Sequence, residues 1–116
     1  MSDEHEIAAS RGVAVVTLHG ELDAHDAPHL RELFAGALDA LSEAPSPRRL
    51  VLDLAAVQFL DSTALGTMIG ALRRAREAGG EVVFVLPQTS ANRIFEITGL
   101  DQVLDTRMSR EAAMEA

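Results

Sequence analysis

The sequence predicts an α/β domain: a mostly parallel, mixed β-sheet of about four to five strands, an antiparallel N-terminal strand, and three to four helices. Three observations predict it. Short apolar runs of strand length recur at Val13 to Leu18, Leu50 to Leu54 and Glu81 to Leu86. Between them lie segments whose apolar residues follow the i, i+3, i+4, i+7 spacing of one buried helix face. The length of 116 residues, with 47% of them apolar, fits a single domain with one packed core. Strands that alternate with helices imply parallel pairing through crossover connections.

Taken in order, "EIAASRGVAVVTLHG" reads as a hairpin turning near Arg11-Gly12. "GELDAHDAPHL" leads into a first helix, with Asp26 as candidate N-cap and Pro28 in the first turn, where a missing N–H costs nothing. Leu30, Leu33, Phe34, Ala37, Leu38 and Leu41 form its buried stripe, and "SEAPSPRR" is a proline-containing loop. "LVLDL" is a strand buried on both faces. A second helix carries Leu65, Met68, Ile69, Leu72 and Ala75 and stops at Gly79-Gly80. "EVVFVL" is the next strand, and Ser90 is placed to cap a third helix that Gly99 ends. "QVLDT" reads as a last short strand, and "SREAAMEA" as a terminal helix that frays.

Composition excludes several classes of function. There is no cysteine, which removes disulfides, thiolate catalysis and Cys-ligated zinc. Net charge is −8; the ten basic residues are all arginine and are interspersed with acids, so nucleic acid is not an expected partner. All four aromatics are Phe, which removes base-stacking platforms. No apolar run approaches the ~20 residues of a membrane span, so no membrane insertion is expected. The acidic start differs from a signal peptide, and a cytoplasmic location is expected. His25 and His29 stand at i, i+4 without a clear third ligand, so no metal is expected. No Gly-x-Ser-x-Gly elbow and no phosphate-binding Gly-x-x-x-x-Gly-Lys loop occurs.

The informative stretch is "FLDSTALG", Phe59 to Gly66. Ser62 follows the central strand and precedes the second helical stripe, which is an N-cap position. Capping alone accounts for a serine there. The second reading is phosphorylation, because a helix N-terminus has unpaired N–H groups and a positive dipole end that tolerate a phosphate. Ser62, Gly66 and Gly70 lie at i, i+4 and i+8 and stack on one helix face. The two glycines either pack closely on the sheet or leave a flat strip on which a partner docks beside the serine. "HGELD" and "AAVQFLDS" leave their strands in one direction, so Asp23 and Asp53 are expected near the sheet edge that carries Ser62.

"LVLDLAAVQFLDSTALGTMIGALRRAREAGGEVVFV", with "GELD" before it and "FEITGLDQVL" after it, resembles the STAS domains of bacterial anti-sigma factor antagonists over roughly Ile7 to Asp105. The resemblance implies a STAS fold in one domain spanning residues 1–116. It places the family's phosphoacceptor on Ser62, with Asp61, Thr63, Leu65 and Gly66 also matching and Ala64 standing where glycine is common. It implies partner switching. The unmodified protein binds an anti-sigma factor that is also a GHKL-type serine kinase and so frees a sigma factor; phosphorylation separates the pair, and a PPM-type, metal-dependent phosphatase restores the serine. ATP and Mg²⁺ belong to the kinase, so no cofactor and no catalytic residue is expected in this chain. An aspartate at Asp23 suits N-terminal capping and loop hydrogen bonding; the matching "GELD" position implies instead that Asp23 contacts the kinase, and Asp61 either holds its loop, positions Ser62 or repels an incoming phosphate. With the glycine strip, the partner-facing residues are Asp23, Asp61, Ser62, Thr63, Gly66 and Gly70. The same fold also serves as a subunit of membrane transporters and in stress-signalling scaffolds, which leaves a second role open at this point. A third, a small enzyme using Ser62, has little support.

Overall fold

A computed structural model describes residues 6–44 and 48–116. Five strands form one sheet in the order β1-β2-β3-β4-β5: β1 Glu6–Ser10, β2 Val13–Leu22, β3 Arg49–Leu60, β4 Glu81–Val85 and β5 Thr106–Arg107. β1 is antiparallel to β2, and all later pairs are parallel. The helices are α1 Ala27–Leu41, α2 Ser62–Glu77, α3 Arg93–Thr98 and α4 Arg110–Glu115. Short 3-10 turns at Ala24–Asp26 and Ser90–Asn92 lead into α1 and α3. The expected fold class is therefore observed. The middle of the expected proline loop falls outside the described residues.

The first hairpin turns where expected. Ser10 pairs with Val13, and the two residues between them take positive φ, 55° at Arg11 and 81° at Gly12. Two positive φ values in a two-residue turn match the twist of the flanking strands.

β3 is the central strand and continues six residues past the expected end at Leu54. Leu50, Leu52 and Leu54 alternate toward the main core, as period two requires. Beyond Leu54 the core-facing residues are Val57 and Leu60, at steps of three. The pairing explains this. Thr17 lies opposite Asp53 and His19 opposite Ala56; Gly20 lies opposite Val57 and Glu21 opposite Phe59. At each shift β3 contributes one extra residue, as a bulge does. The irregularities keep the apolar side chains on one face while breaking the alternation from which a strand is read.

The sheet is covered on both faces. Above it, α1 contributes Leu30, Phe34, Ala37 and Leu41, α2 contributes Ala64, Leu65, Met68, Ala71, Leu72 and Ala75, and α3 contributes Phe95, all to one cluster with the strands. Beneath it, Val15, Val51, Val83 and Val85 pack with Ala113 of α4. Two buried charged residues of β3 hold α4 in place. Asp53 Oδ2 accepts from Arg110 Nε (3.1 Å), and Arg49 Nη1 donates to the Met114 carbonyl (2.9 Å) while pairing with Glu81 (2.8 Å). Asp53 thus belongs to the α4 face in the middle of β3, not to the edge that carries Ser62, because β3 runs on well beyond it.

The turn after α2 is set by two glycines, as expected. Gly79 has φ +82°. Gly80 lies so close to the next strand that a Cβ there would sit 2.8 Å from the Arg48 carbonyl oxygen. The last strand differs from expectation: Leu100–Gln102 form a 3-10 turn, and only Thr106–Arg107 pair with β4.

Candidate functional site at the N-terminus of the second helix

The ends of β2 and β3 lie side by side, with Leu22 opposite Leu60. The segments that leave them are joined by Asp61. Its N–H donates to the Leu22 carbonyl (3.1 Å). Its Oδ1 accepts from the Ala64 N–H (2.8 Å), and its Oδ2 accepts from the Ala24 N–H (2.9 Å). Backbone at Asp61 is extended, φ −96° and ψ 175°, which is N-cap geometry. Asp61, rather than Ser62, is therefore the cap of α2, and Ser62 is the first helical residue. Asp and Ser cap comparably well, and the extended residue of the two takes the role.

This assignment frees the serine. Ser62 is exposed, and its hydroxyl makes no hydrogen bond among the described residues. The N–H groups of the first turn have no acceptor within the helix, so Ser62 and Thr63 present a hydroxyl pair beside the positive end of the dipole. Thr63 is also exposed.

At two other helix entries the capping side chain also precedes the expected one, by one residue before α3 and by three before α1. Thr89, not Ser90, caps the turn into α3 by accepting from the Ala91 N–H (3.1 Å). Before α1 the capping side chain is Asp23, not Asp26. Asp23 Oδ1 accepts from the His25 N–H (2.9 Å), and Asp26 Oδ2 accepts in return from the Asp23 N–H (3.0 Å). Asp23 is exposed and lies one residue before Ala24, whose N–H reaches Asp61. Asp23, Asp61, Ser62 and Thr63 thus share one end of the molecule.

Gly66 and Gly70 follow Ser62 along α2. A Cβ at either position would meet nothing within 4 Å. Close packing on the sheet is therefore not the reason for these glycines. They border a groove of about 240 Å³ between α1 and α2, together with Arg31, Phe34, Thr67 and Arg74. A second groove, of about 280 Å³, runs between β3 and α3. Phe59 and Ile97 line it and are 49% and 76% exposed. Sequence reasoning missed Arg31, Arg74, Phe59 and Ile97. For Arg74 a signal was available: it stands one helical step of four after Gly70.

Among the described residues, no group of three or more His, Asp or Glu side chains is arranged to hold a metal ion. Among them too, no helix is long and apolar enough to cross a membrane.

Comparison with known proteins agrees with this architecture. Residues 5–113 match the STAS domain family, and the chain belongs to that family. It is 31% identical over 100 residues to an anti-sigma-B factor antagonist of Bacillus subtilis, covering 86% of each chain. It is 29% identical over 104 residues to an anti-sigma F factor antagonist of Paenibacillus polymyxa, covering 90% of this chain and 86% of that one. Among solved structures, an anti-sigma factor antagonist from Mycobacterium paratuberculosis superposes with a TM-score of 0.77 at 29% identity, over 98% of this chain and 92% of the other.

Proposed function

We propose that this protein is an anti-sigma factor antagonist switched by phosphorylation of Ser62. In its unmodified state it binds an anti-sigma factor and so releases a sigma factor. The anti-sigma factor is also a GHKL-type serine kinase that supplies ATP and Mg²⁺. The Ser62 hydroxyl oxygen attacks the γ-phosphorus, the bond from that phosphorus to the bridging oxygen breaks, ADP leaves, and the hydroxyl proton passes to a base of the kinase. A PPM-type phosphatase hydrolyses the phosphoserine and resets the switch. This chain acts as the regulated binding partner and supplies only the acceptor.

One observation carries the reading: Ser62 is an exposed, unengaged hydroxyl in the first turn of a helix capped by its neighbour. A phosphate there is compatible with the fold, since a negative charge near a helix N-terminus is worth about 0.3–1 kcal/mol of stabilisation. At a docked surface the same group adds a charge of about −1.5 to −2. Burying that charge without matching cations costs several kcal/mol, and ~3 kcal/mol is already more than a hundredfold in affinity. Support for the partner comes from the relatives named as anti-sigma factor antagonists, two of them at 29% and 31% identity.

The test is to incubate the protein with candidate anti-sigma kinases and ATP and to map the phosphate by mass spectrometry. Phosphate on Ser62 is expected, and Ser62→Ala is expected to remain bound to the kinase in the presence of ATP. Phosphate on Thr63 alone would overturn the assignment.

A further inference from the structure

The groove between α1 and α2 has a charge opposite to that of the molecule. The chain carries a net charge of −8, yet among the described residues the only charged ones that line this groove are Arg31 of α1 and Arg74 of α2. Both are exposed, and neither belongs to any of the three ion pairs found among the described residues. Arg74 also borders a second cavity of about 260 Å³ that contains Asp39 and Glu81. Glu81 is already paired with Arg49. Phe34 lines the groove, and Thr67 lies in it with its hydroxyl bonded to the Ala64 carbonyl (2.6 Å). With open space above Gly66 and Gly70, another backbone can approach the helix closely.

We infer that this groove receives an acidic segment of the anti-sigma factor, with carboxylates at Arg31 and Arg74. The inference rests on the functional reading above and deepens it by naming the chemistry of the docked segment. An acidic occupant is the one the charges select: two arginines without ion-pair partners gain from carboxylates, whereas a basic segment would meet them with like charge. Thr63, the neighbour of Ser62, lines the groove and shares a helix face with Arg74, roughly 16 Å away along the axis. A phosphate on Ser62 would then sit beside the Thr63 end of a groove whose occupant is itself negative. Release would follow from repulsion between the phosphate and the acidic segment, in addition to desolvation.

The test uses charge reversal with the full chain. Affinities for the anti-sigma factor are measured for wild type, Arg31→Glu, Arg74→Glu and, as a control, Arg93→Glu, which changes an exposed arginine in the β3–α3 groove. All four are first checked for an unchanged melting transition. Arg31→Glu and Arg74→Glu are each expected to weaken binding at least fivefold, with a shallower dependence on salt, and Arg93→Glu to stay within twofold. Binding within twofold of wild type for both groove variants overturns the inference. So does equal weakening by Arg93→Glu, which would show a general charge effect. If wild type binds no anti-sigma factor, the functional reading fails, and the groove is then decided alone. A glutamate-rich helical 16-residue peptide, titrated against labelled protein, is expected to shift the Gly66 and Gly70 amides in NMR spectra of wild type but not of the Arg31→Glu/Arg74→Glu double variant. No shift with wild type, or an equal shift with a lysine-rich peptide, overturns it.

Discussion

Asp61 and Ser62 are neighbours in different positions, cap and first helical residue, and the difference leaves the serine hydroxyl open to the proposed modification. A capping serine has its oxygen engaged by a backbone N–H, and a phosphate on it would have to replace that bond. Here Asp61 accepts from Ala64 and Ala24, and the Ser62 oxygen is left to solvent. Asp61→Ala should therefore destabilise the fold by about 0.5–2 kcal/mol, the range for a lost N-cap, as measured by chemical denaturation. Ser62→Ala should change stability by less than ~0.5 kcal/mol, as expected for a surface change away from caps and core. Ser62→Asp should likewise leave the melting transition nearly unchanged, because the helix N-terminus accepts the charge, while affinity for the anti-sigma factor falls at least tenfold. Gly80 shows the opposite sensitivity. Its missing Cβ faces a backbone carbonyl at 2.8 Å, so Gly80→Ala should cost about 1–3 kcal/mol, in the range for overpacking.

Among the elements, β3 shows where sequence reading stops and why. Its first half was legible, because Leu50, Leu52 and Leu54 alternate. Its second half was not, because two bulges move the core positions to Val57 and Leu60, a spacing that no strand template contains. Caps were legible to within one to three residues: Asp61-Ser62 and Thr89-Ser90 each offer two good caps, Asp23 stands three residues before Asp26, and the extended backbone that chooses between them is set by the preceding strand or loop. Helix faces were legible in α1 and α2, since periodicity is local. α3 is a sharp case, with Phe95 fully buried and Ile97, two residues later, 76% exposed. Phe95→Ala should cost about 3–5 kcal/mol, and Ile97→Ala less than ~0.5 kcal/mol. α4 depends on a polar latch. Arg110→Ala leaves Asp53, whose side chain is 9% exposed, with only the Ala55 N–H as partner. A loss of about 1–3 kcal/mol is expected for a buried group left without its charged partner. Arg107→Ala should cost less than ~1 kcal/mol, since its pair with Asp105 is substantially exposed.

For the molecule as a whole, the sequence reading reached the order of layers but not what adjoins what. Asp23 and Ser62 were expected at one edge, and the pairing of Leu22 with Leu60 brings their segments there. Asp53 was expected there too and lies elsewhere, because the length of β3 was underestimated. The groove that carries Arg31 and Arg74 depends on how α1 meets α2, which no local pattern encodes. The sheet has one thick cover and one thin one: three helices above, α4 alone beneath. Truncation after Met108 should uncover Val15, Val51, Val83 and Val85. It should lower the midpoint of denaturation and raise binding of a hydrophobic dye without loss of the parallel strand core.

The bond from the Ala24 N–H to Asp61 also bears on recognition. One carboxylate fastens the loop that carries Asp23 to the helix that begins at Ser62. A partner that touches both meets a surface already assembled, so little conformational freedom is lost on docking. The rigidity also ties the two contacts together. A partner displaced at Ser62 would not keep a hold on Asp23 by letting the loop swing, and the proposed modification would act on the whole interface at once.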